Sequence, residues 1–233
     1  MLRFPAGFAA RARPLRNPQT ANLLPNAYKV LLMPENALYA IVLAAGRASR
    51  FGSTKQLAIC SGQPLVASAV RQAEQVCGSR SVLVTGNDWR NVAAACEPLK
   101  GFFLMNPGFE GGMATSLSAG IRSVQDIANG VLIMLADQPL ITVAHLWSLV
   151  GTWSGNHHAI CASAFAETAG PPVIFPRRYF PELAKLEGDR GAKAVLDLYR
   201  DEVITIQFDD AAVDIDRPDD LVGIQTTGSI KGL

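Results

Sequence analysis

The stretch LYAIVLAAGRASRFGSTK, residues 38–55, decides the fold expected of this 233-residue chain. Its first part, from Leu38 to Val42, is an apolar run typical of a strand buried on both faces of a parallel sheet. The run leads directly into a basic loop that contains glycine. We therefore expect a central strand that opens into a loop able to bind an anion, called here the phosphate loop (residues 46–55).

The chemistry of the phosphate loop comes from its glycines and its cations. Gly46 and Gly52 allow backbone conformations that let amide N–H groups face a polyanion. Arg50 and Lys55 add full positive charges. The alternative is a glycine-containing surface turn in which the basic residues are incidental.

Two common phosphate loops are excluded by spacing. The Walker loop has four residues between its glycines and then Gly-Lys-Ser/Thr, whereas five residues separate Gly46 from Gly52 and Ser53 follows. The dinucleotide fingerprint has a second glycine two positions after the first, where this chain has Ala48. The loop therefore belongs to another class.

Beyond the phosphate loop, apolar strand patterns alternate with helical ones. This alternation predicts an α/β, three-layer, Rossmann-like fold with a mostly parallel sheet, right-handed crossovers and helices on both faces. The expected strands cover residues 80–85, 102–105, 130–136, 159–163, 173–175 and 203–208. The expected helices cover residues 65–77, 88–97, 113–124, 142–153, 178–186 and 191–199, with a last helix after Pro218.

The composition, 49% hydrophobic and 7% aromatic, is typical of one large α/β domain. No apolar run approaches the roughly 20 residues of a membrane span, so no membrane association is expected. The four cysteines have no Cys-x-x-Cys spacing, which favours small core residues in a reducing, cytoplasmic environment over a metal or redox site.

The first 32 residues differ from the rest of the chain. They hold five basic residues and no acid, whereas the remainder has 16 basic and 20 acidic residues, a net charge of −4. They fit neither a transit peptide nor a secretory signal well. We expect residues 1–32 to be a disordered extension, or the product of a wrongly assigned start codon, ahead of one domain at 33–233. The acidic body argues against nucleic acid as a partner.

A carboxylate is expected opposite the phosphate loop. Asp137 ends the apolar run 131–136, and Pro139 prevents the strand from continuing. Because ligands bind beyond the carboxyl ends of strands in open parallel sheets, Asp137 and the phosphate loop should converge there. A carboxylate at this place can hold Mg²⁺ together with phosphate oxygens. The alternative is a turn or a helix cap.

Two further segments fit substrate loops. Residues 110–117 lead into a helix whose exposed N–H groups would attract phosphate or polar base edges. In residues 188–193, Arg190 could hold a phosphate through two parallel hydrogen bonds. The alternative for the second segment is a flexible turn with solvated charges.

Taken together, these segments resemble the MobA-like nucleotidyltransferases. The matching motifs are L-A-A-G-x-x-x-R-x-G-x-x-K at 43–55, G-M-x-x-S-L at 112–117, A-D-Q-P at 136–139, G-D-R-G-A at 188–192 and D-I-D-x-P-x-D at 214–220. The resemblance covers most of residues 38–221. It implies the fold of the nucleotide-diphospho-sugar transferases and a nucleotidyl transfer that needs Mg²⁺ or Mn²⁺.

The resemblance also implies roles for single residues. Catalysis would involve Arg50, Lys55 and Asp137, and the acceptor substrate would meet Asp189 and Arg190. The metal would be held by Asp137 and Asp216, with Asp214 as the alternative. Nucleotide binding would involve Leu43, Ala44, Ala45, Gly46, Arg50, Gly52, Lys55 and Ser116.

The late acidic segment departs from the family at one position. Arg217 replaces a threonine that would cap the helix beginning at Pro218, and arginine cannot accept the amide hydrogen bond of a cap. Asp216 could cap instead, which puts its role as a metal ligand in doubt. On a strand, Asp214 and Asp216 would share a face, so their spacing does not choose between them.

Within the family, the opening L-A-A-G is most similar to that of the molybdenum cofactor cytidylyltransferases, since the guanylyltransferases typically open L-A-G-G. The resemblance therefore implies CTP and a molybdopterin-type phosphate monoester as substrates. It also implies an apo molybdoenzyme of the xanthine or aldehyde oxidoreductase type as recipient of the product. The alternatives are a guanylyltransferase, a sugar- or polyol-phosphate nucleotidyltransferase, and a Rossmann-type binder without transferase activity.

Overall fold

The computed structural model describes residues 37–46 and 51–228. The expected extension at residues 1–32 and the predicted Arg50 lie outside this part of the chain. In the described part the chain alternates strands and helices, as expected.

Seven strands of the described ranges form one sheet, and two short strands form a separate hairpin. In chain order the strands are β1 (Leu38–Ala44), β2 (Ile59–Cys60), β3 (Gln63–Pro64), β4 (Ser81–Thr85), β5 (Phe102–Met105), β6 (Gly130–Leu135), β7 (Ile160–Phe165), β8 (Thr168–Pro176) and β9 (Val203–Gln207). The sheet has the order β5-β4-β1-β6-β8-β7-β9. The chain moves outward from β1 to β4 and β5 on one side and then places β6 on the other. The order therefore reverses between β1 and β6.

Helices cover both faces of the sheet. They are α1 (Leu65–Cys77), α2 (Trp89–Ala94), α3 (Met113–Val124), α4 (Val143–Gly155), α5 (Phe180–Ala184), α6 (Lys193–Leu198) and α7 (Pro218–Gly228). Apolar side chains of α1 and α4 pack in one core, and those of α3, α5 and α6 pack in the other. The structure therefore has the three layers that the sequence predicts.

The packing of the central strand β1 explains why its sequence is continuously apolar. Leu38, Ala40 and Val42 pack in the core with α1 and α4, whereas Ile41 and Leu43 pack in the core with α3. Because successive side chains of a strand point to opposite faces, a strand with helices on both sides has no position for a polar residue. The strand end is consequently held in place from both sides.

The sheet is mostly parallel, as predicted, and the exception is β8. This strand runs antiparallel to both β6 and β7. A two-residue turn, Ala166–Glu167, joins β7 to β8, and both residues have positive φ, 44° and 61°. Such a turn forms a hairpin, so the two strands must be antiparallel. A similar turn at Ser61–Gly62 joins β2 and β3, which were not predicted.

Most predicted elements are confirmed, and the exceptions are near prolines. The helix expected at 88–97 ends at Ala94, ahead of Pro98, and the residue before a proline disfavours helical conformation. The helix expected at 178–186 becomes a 3₁₀ turn, Arg177–Tyr179, followed by α5 with Pro181 in its first turn. None of the helices in the described ranges is long and apolar enough to cross a membrane.

Two helical glycines provide a matched test of how closely the helices pack on the sheet. A Cβ at Gly120 in α3 would lie 2.8 Å from Ile41 Cγ2 and 3.2 Å from Val84 Cγ2, and both of these side chains are fully buried in the sheet. A Cβ at Gly151 in α4 would meet nothing within 4 Å. We expect Gly120→Ala to lower the free energy of unfolding by about 1–3 kcal/mol through overpacking. Gly151→Ala should raise it by roughly 0.5–1 kcal/mol through helix propensity. Urea denaturation measures both, and equal signs would contradict the close helix–sheet contact.

Candidate functional site

A cleft of about 400 Å³ opens beyond the carboxyl ends of β1 and β6, where the strand order reverses. Ligands of open α/β sheets bind at such a point, and the volume is in the range of small-molecule sites. The predicted residues that line the cleft are Leu43, Ala45, Gly46, Lys55, Ser116, Asp137 and Asp189. Residues far apart in the chain therefore meet where the strand rule placed them.

One cation and two carboxylates lie together at this cleft. Lys55 Nζ is 2.7 Å from Asp137 Oδ2 and 3.1 Å from Asp216 Oδ1, although these partners are 82 and 161 residues away in the chain. The Lys55 side chain is 11% exposed, against 26% for Asp137 and 61% for Asp216. The ammonium group is thus enclosed while Asp216 faces solvent.

The carboxylates determine the charge of Lys55. Burial alone would lower the pKa of the ammonium group, but the charge and hydrogen bond of Asp137, and then those of Asp216, outweigh it and raise the pKa above its ordinary value. Lys55 is therefore protonated at neutral pH. It can neutralise an anion but cannot act as a general base.

Asp214 is the third carboxylate of this cluster. Desolvation, followed by the negative charges of Asp137 and Asp216, raises the pKa of Asp214 to about 6. The residues around it form no strand, but Ile215 points inward: it is fully buried, and its N–H donates to the carbonyl oxygen of Asp137 at 2.9 Å. This hydrogen bond holds the late acidic segment against the end of β6.

The missing cap at Arg217 is supplied from inside the helix. Asp220 Oδ2 accepts hydrogen bonds from the backbone N–H groups of Asp216 and Arg217, each at 2.8 Å. These bonds lower the pKa of Asp220. A carboxylate in the first turn thus reaches back to the start of α7, as in half of a capping box. The expectation that Asp216 could cap is wrong, and its carboxylate is available to Lys55.

The cluster meets the basic requirement for a magnesium-type cation. Because the Lys55 ammonium contacts both Asp137 and Asp216, one positive centre can touch both carboxylates. No group of three or more His, Cys, Asp or Glu side chains in the described ranges is arranged to hold a metal ion. Two carboxylates are sufficient for Mg²⁺, which takes its other ligands from water and phosphate oxygens.

The start of α3 is less open than the sequence suggested. The N–H of Ala114 donates to the carbonyl oxygen of Gly188 at 3.0 Å. A Cβ at Gly112, whose φ is +98°, would lie 2.3 Å from that same oxygen. The N–H of Ala114 is therefore not exposed as expected. The loop that carries Asp189 packs onto the helix start, and the two predicted substrate loops form one wall of the cleft.

Ser116 is held in a buried polar network. The Asn106 side-chain amide donates to the hydroxyl oxygens of Ser116 and Thr115, each at 3.0 Å, and Asn106 Oδ1 accepts from the N–H of Gly108. Asn106 follows β5 directly. The network joins the end of β5 to α3 beneath the cleft.

Five of the predicted residues that the structure describes do not line the cleft: Ala44, Gly52, Arg190, Asp214 and Asp216, although Asp216 contacts the cleft residue Lys55. Ala44 is 3% exposed and packs in the core below it. Gly52 has a φ of +76°, as its predicted turn role requires, but lies away from the cleft, and Arg190 is exposed beside Asp189. The cleft is also lined by Glu110, Gly112 and Met113 of the predicted substrate loop 110–117, and by four residues that were not predicted as site residues: Gln56, Phe109, Leu135 and Ala136.

Sequence reasoning missed two polar residues near the site, Asn106 and Gln56, and only Asn106 had a signal in the sequence that could have found it. Asn106 comes after a strand, so the rule that located Asp137 would also have found it. Gln56 adjoins Lys55, but only the structure shows that its side chain turns back to bond Gly46.

Comparison with known proteins gives consistent matches. Residues 40–203 match the MobA-like NTP transferase domain. The purine catabolism protein PucB of Bacillus subtilis (strain 168) is 27% identical over 167 residues, which are 68% of this chain and 80% of PucB.

Solved structures agree with this match. Rv0371c from Mycobacterium tuberculosis H37Rv superposes with a TM-score of 0.71 and 28% identity over 82% of this chain and 98% of its own. A complex of the same protein with manganese gives 0.69 and 26% over 82% of this chain and 100% of its own. With the family domain matching well over half of its length, the chain belongs to the MobA-like NTP transferases and is a nucleotidyltransferase.

Proposed function

We infer that the protein transfers CMP from CTP to the phosphate monoester of a molybdopterin-type cofactor and releases pyrophosphate, with Mg²⁺ or Mn²⁺ as the divalent cation. The observation that carries this proposal is the meeting of Lys55, Asp137 and Asp216 at the cleft between β1 and β6. A triphosphate placed there would lie at the carboxyl ends of these strands, between the phosphate loop and the carboxylates.

The reaction needs little covalent help from the protein. An oxygen of the acceptor phosphate forms a bond to the α-phosphorus of CTP, and the bond from that phosphorus to the oxygen bridging to the β-phosphorus breaks. The nucleophile is already an anion, so no general base is required. Catalysis then consists of aligning the reactants and neutralising the charge that develops.

Lys55 would supply that neutralisation. Its raised pKa keeps it charged, and its contacts with Asp137 and Asp216 aim the ammonium group at the cleft. When a triphosphate binds, the phosphate oxygens can replace carboxylate oxygens as its partners. Arg50, from the same loop, would add a second positive charge.

Asp137 and Asp216 would hold the divalent cation, with Asp214 nearby. When bound, this ion neutralises phosphate charge and orients the triphosphate. Asp216 is preferred over Asp214 because it already shares a cation with Asp137. The manganese complex of the mycobacterial relative supports a divalent metal.

The acceptor substrate would enter from the side of the 188–191 loop. Asp189 lines the cleft, and the exposed Arg190 next to it would bind the acceptor's phosphate. The packing of this loop on the start of α3 brings the acceptor close to the nucleotide.

The choice of CTP depends on Ala45, which lines the cleft at the end of β1, in place of the glycine that guanylyltransferases typically have. The recipient of the product would be an apo molybdoenzyme of the xanthine or aldehyde oxidoreductase type. The PucB relative supports this recipient, because it is named for purine catabolism and xanthine oxidoreductases oxidise purines.

A nucleotide panel tests the substrate assignment. The protein is incubated with CTP, GTP or ATP, divalent metal and molybdenum cofactor, and pyrophosphate is measured. We expect turnover to be highest with CTP and to need the metal. Equal or higher turnover with GTP would contradict the cytidylyl assignment. Turnover with sugar or polyol phosphates as acceptors would contradict the molybdopterin assignment.

The charged pair at the cleft is tested by Lys55→Ala and Asp137→Ala. Each should lower the rate of pyrophosphate release by roughly a hundredfold or more, the usual effect of removing a charge-stabilising group. Matched controls are Lys185→Ala and Asp197→Ala, which remove the same groups from exposed ion pairs on α5 and α6. The controls should retain wild-type rates, and a wild-type rate in either cleft variant would remove that residue from the catalytic site.

The metal ligands are separated by Asp216→Ala and Asp214→Ala. Loss of a ligand should raise the Mg²⁺ concentration for half-maximal rate by about tenfold or more, on the scale of changes at metal sites. We expect this for Asp216→Ala and a smaller shift for Asp214→Ala. Asp219→Ala, an exposed acid in the first turn of α7, serves as control. A larger shift for Asp214→Ala would reverse the assignment.

A further inference from the structure

The side chain of Gln56 joins the two ends of the phosphate loop. Gln56 follows Lys55 in the 3₁₀ turn Lys55–Leu57 and is only 6% exposed. Its Nε2 donates a hydrogen bond to the carbonyl oxygen of Gly46 at 3.0 Å. Both Gln56 and Gly46 line the cleft. The bond therefore fixes the residue where the loop begins relative to the turn that carries the cation.

The other contacts of this turn reach different segments. The Thr54 hydroxyl donates to Asp88 Oδ2, after β4, at 2.7 Å. Lys55 pairs with Asp137, after β6. Three consecutive side chains thus attach the turn to three strand ends, and Gln56 makes the attachment to β1.

The Gly46 carbonyl oxygen is unfavourable for polyanion binding at this cleft. A carbonyl oxygen carries partial negative charge and repels phosphate oxygens, most strongly when no donor bonds to it. A neutral amide donor satisfies this oxygen without adding an acid to the cleft. It also keeps the peptide in one orientation, which reduces the reorganisation needed when an anion binds.

We propose that Gln56 is a positioning residue for the nucleotide: by bonding the Gly46 carbonyl, it removes a repulsive oxygen from the triphosphate's path and sets the spacing between Gly46 and Lys55. This inference rests on the proposed function of the cleft as a nucleoside triphosphate site. Gln56 acts on binding, before bond formation, so its loss changes the KM for nucleotide and leaves kcat and the KM for acceptor unchanged.

The test compares Gln56→Met, which keeps the length of the side chain but has no donor, with Gln56→Glu, which keeps the shape but is an acceptor and negatively charged. Loss of one neutral hydrogen bond should raise the nucleotide KM about tenfold in Gln56→Met. Gln56→Glu should raise it further because of its charge. Isothermal titration with the Mg²⁺ complex of the nucleotide should show matching losses of affinity.

Ser118→Ala is the matched control, because the Ser118 hydroxyl makes the same kind of side-chain-to-carbonyl bond, to Ala184 at 3.0 Å, outside the cleft. It should lower the melting temperature without changing the nucleotide KM. An unchanged nucleotide KM in Gln56→Met, an equal loss of kcat, or the same KM shift in Ser118→Ala would overturn the proposal. If Gln56→Met does not fold, the same KM and kcat criteria apply to Gln56→Glu.

The wild-type protein is assayed first with each nucleoside triphosphate, and the variants with the one it uses best. A wild type that uses none of them would refute the proposed function. A wild type that turns over normally beside an unaffected Gln56→Met would refute only the role of Gln56.

Discussion

The contact of one ammonium group with two carboxylates is the interaction on which the cleft depends. Lys55 holds together segments that come from β1, from β6 and from the start of α7. Without its charge, Asp137, Asp214 and Asp216 would be three neighbouring acids, and burial together with the negative charges of the other two raises the pKa of Asp214. A cation at its centre, either the ammonium group or a metal ion, therefore stabilises the cluster.

The sheet makes such a cluster possible. β1 and β6 are adjacent and parallel, and nearly all their side chains are buried. Their carboxyl ends are therefore held at a constant distance by backbone hydrogen bonds and by two cores. A charged site built on flexible loops alone would lose conformational entropy each time it assembled. In this protein the strand ends lose that conformational entropy only once, when the β-sheet folds.

Local periodicity and the strand-end rule were enough to predict most helices, the central strands and the approach of Lys55 to Asp137. The pattern at residues 113–124 matches the bounds of α3, and the rule placed Lys55 near Asp137. Neither could foresee that a two-residue turn reverses β8, or that Asp220 replaces the missing cap at Arg217. These features depend on contacts that only the folded chain creates. A turn sequence does not specify which strands it joins, and an acid in a sequence can bond any of several backbone groups.

The contact between Gly188 and the start of α3 has a consequence for how two substrates could share the cleft. The Gly188 carbonyl oxygen lies 2.3 Å from the position that a Cβ of Gly112 would take, so the contact leaves no room for a side chain there. The same oxygen accepts the first-turn N–H of Ala114, which leaves that donor unable to bind phosphate. The helix start therefore has one N–H fewer to offer an anion, and the contact holds the loop of Asp189 against the cleft. The two predicted substrate loops are thus in direct backbone contact. In the proposed reaction this contact would bring the acceptor close to the nucleotide, the proximity that a direct transfer between two phosphates requires.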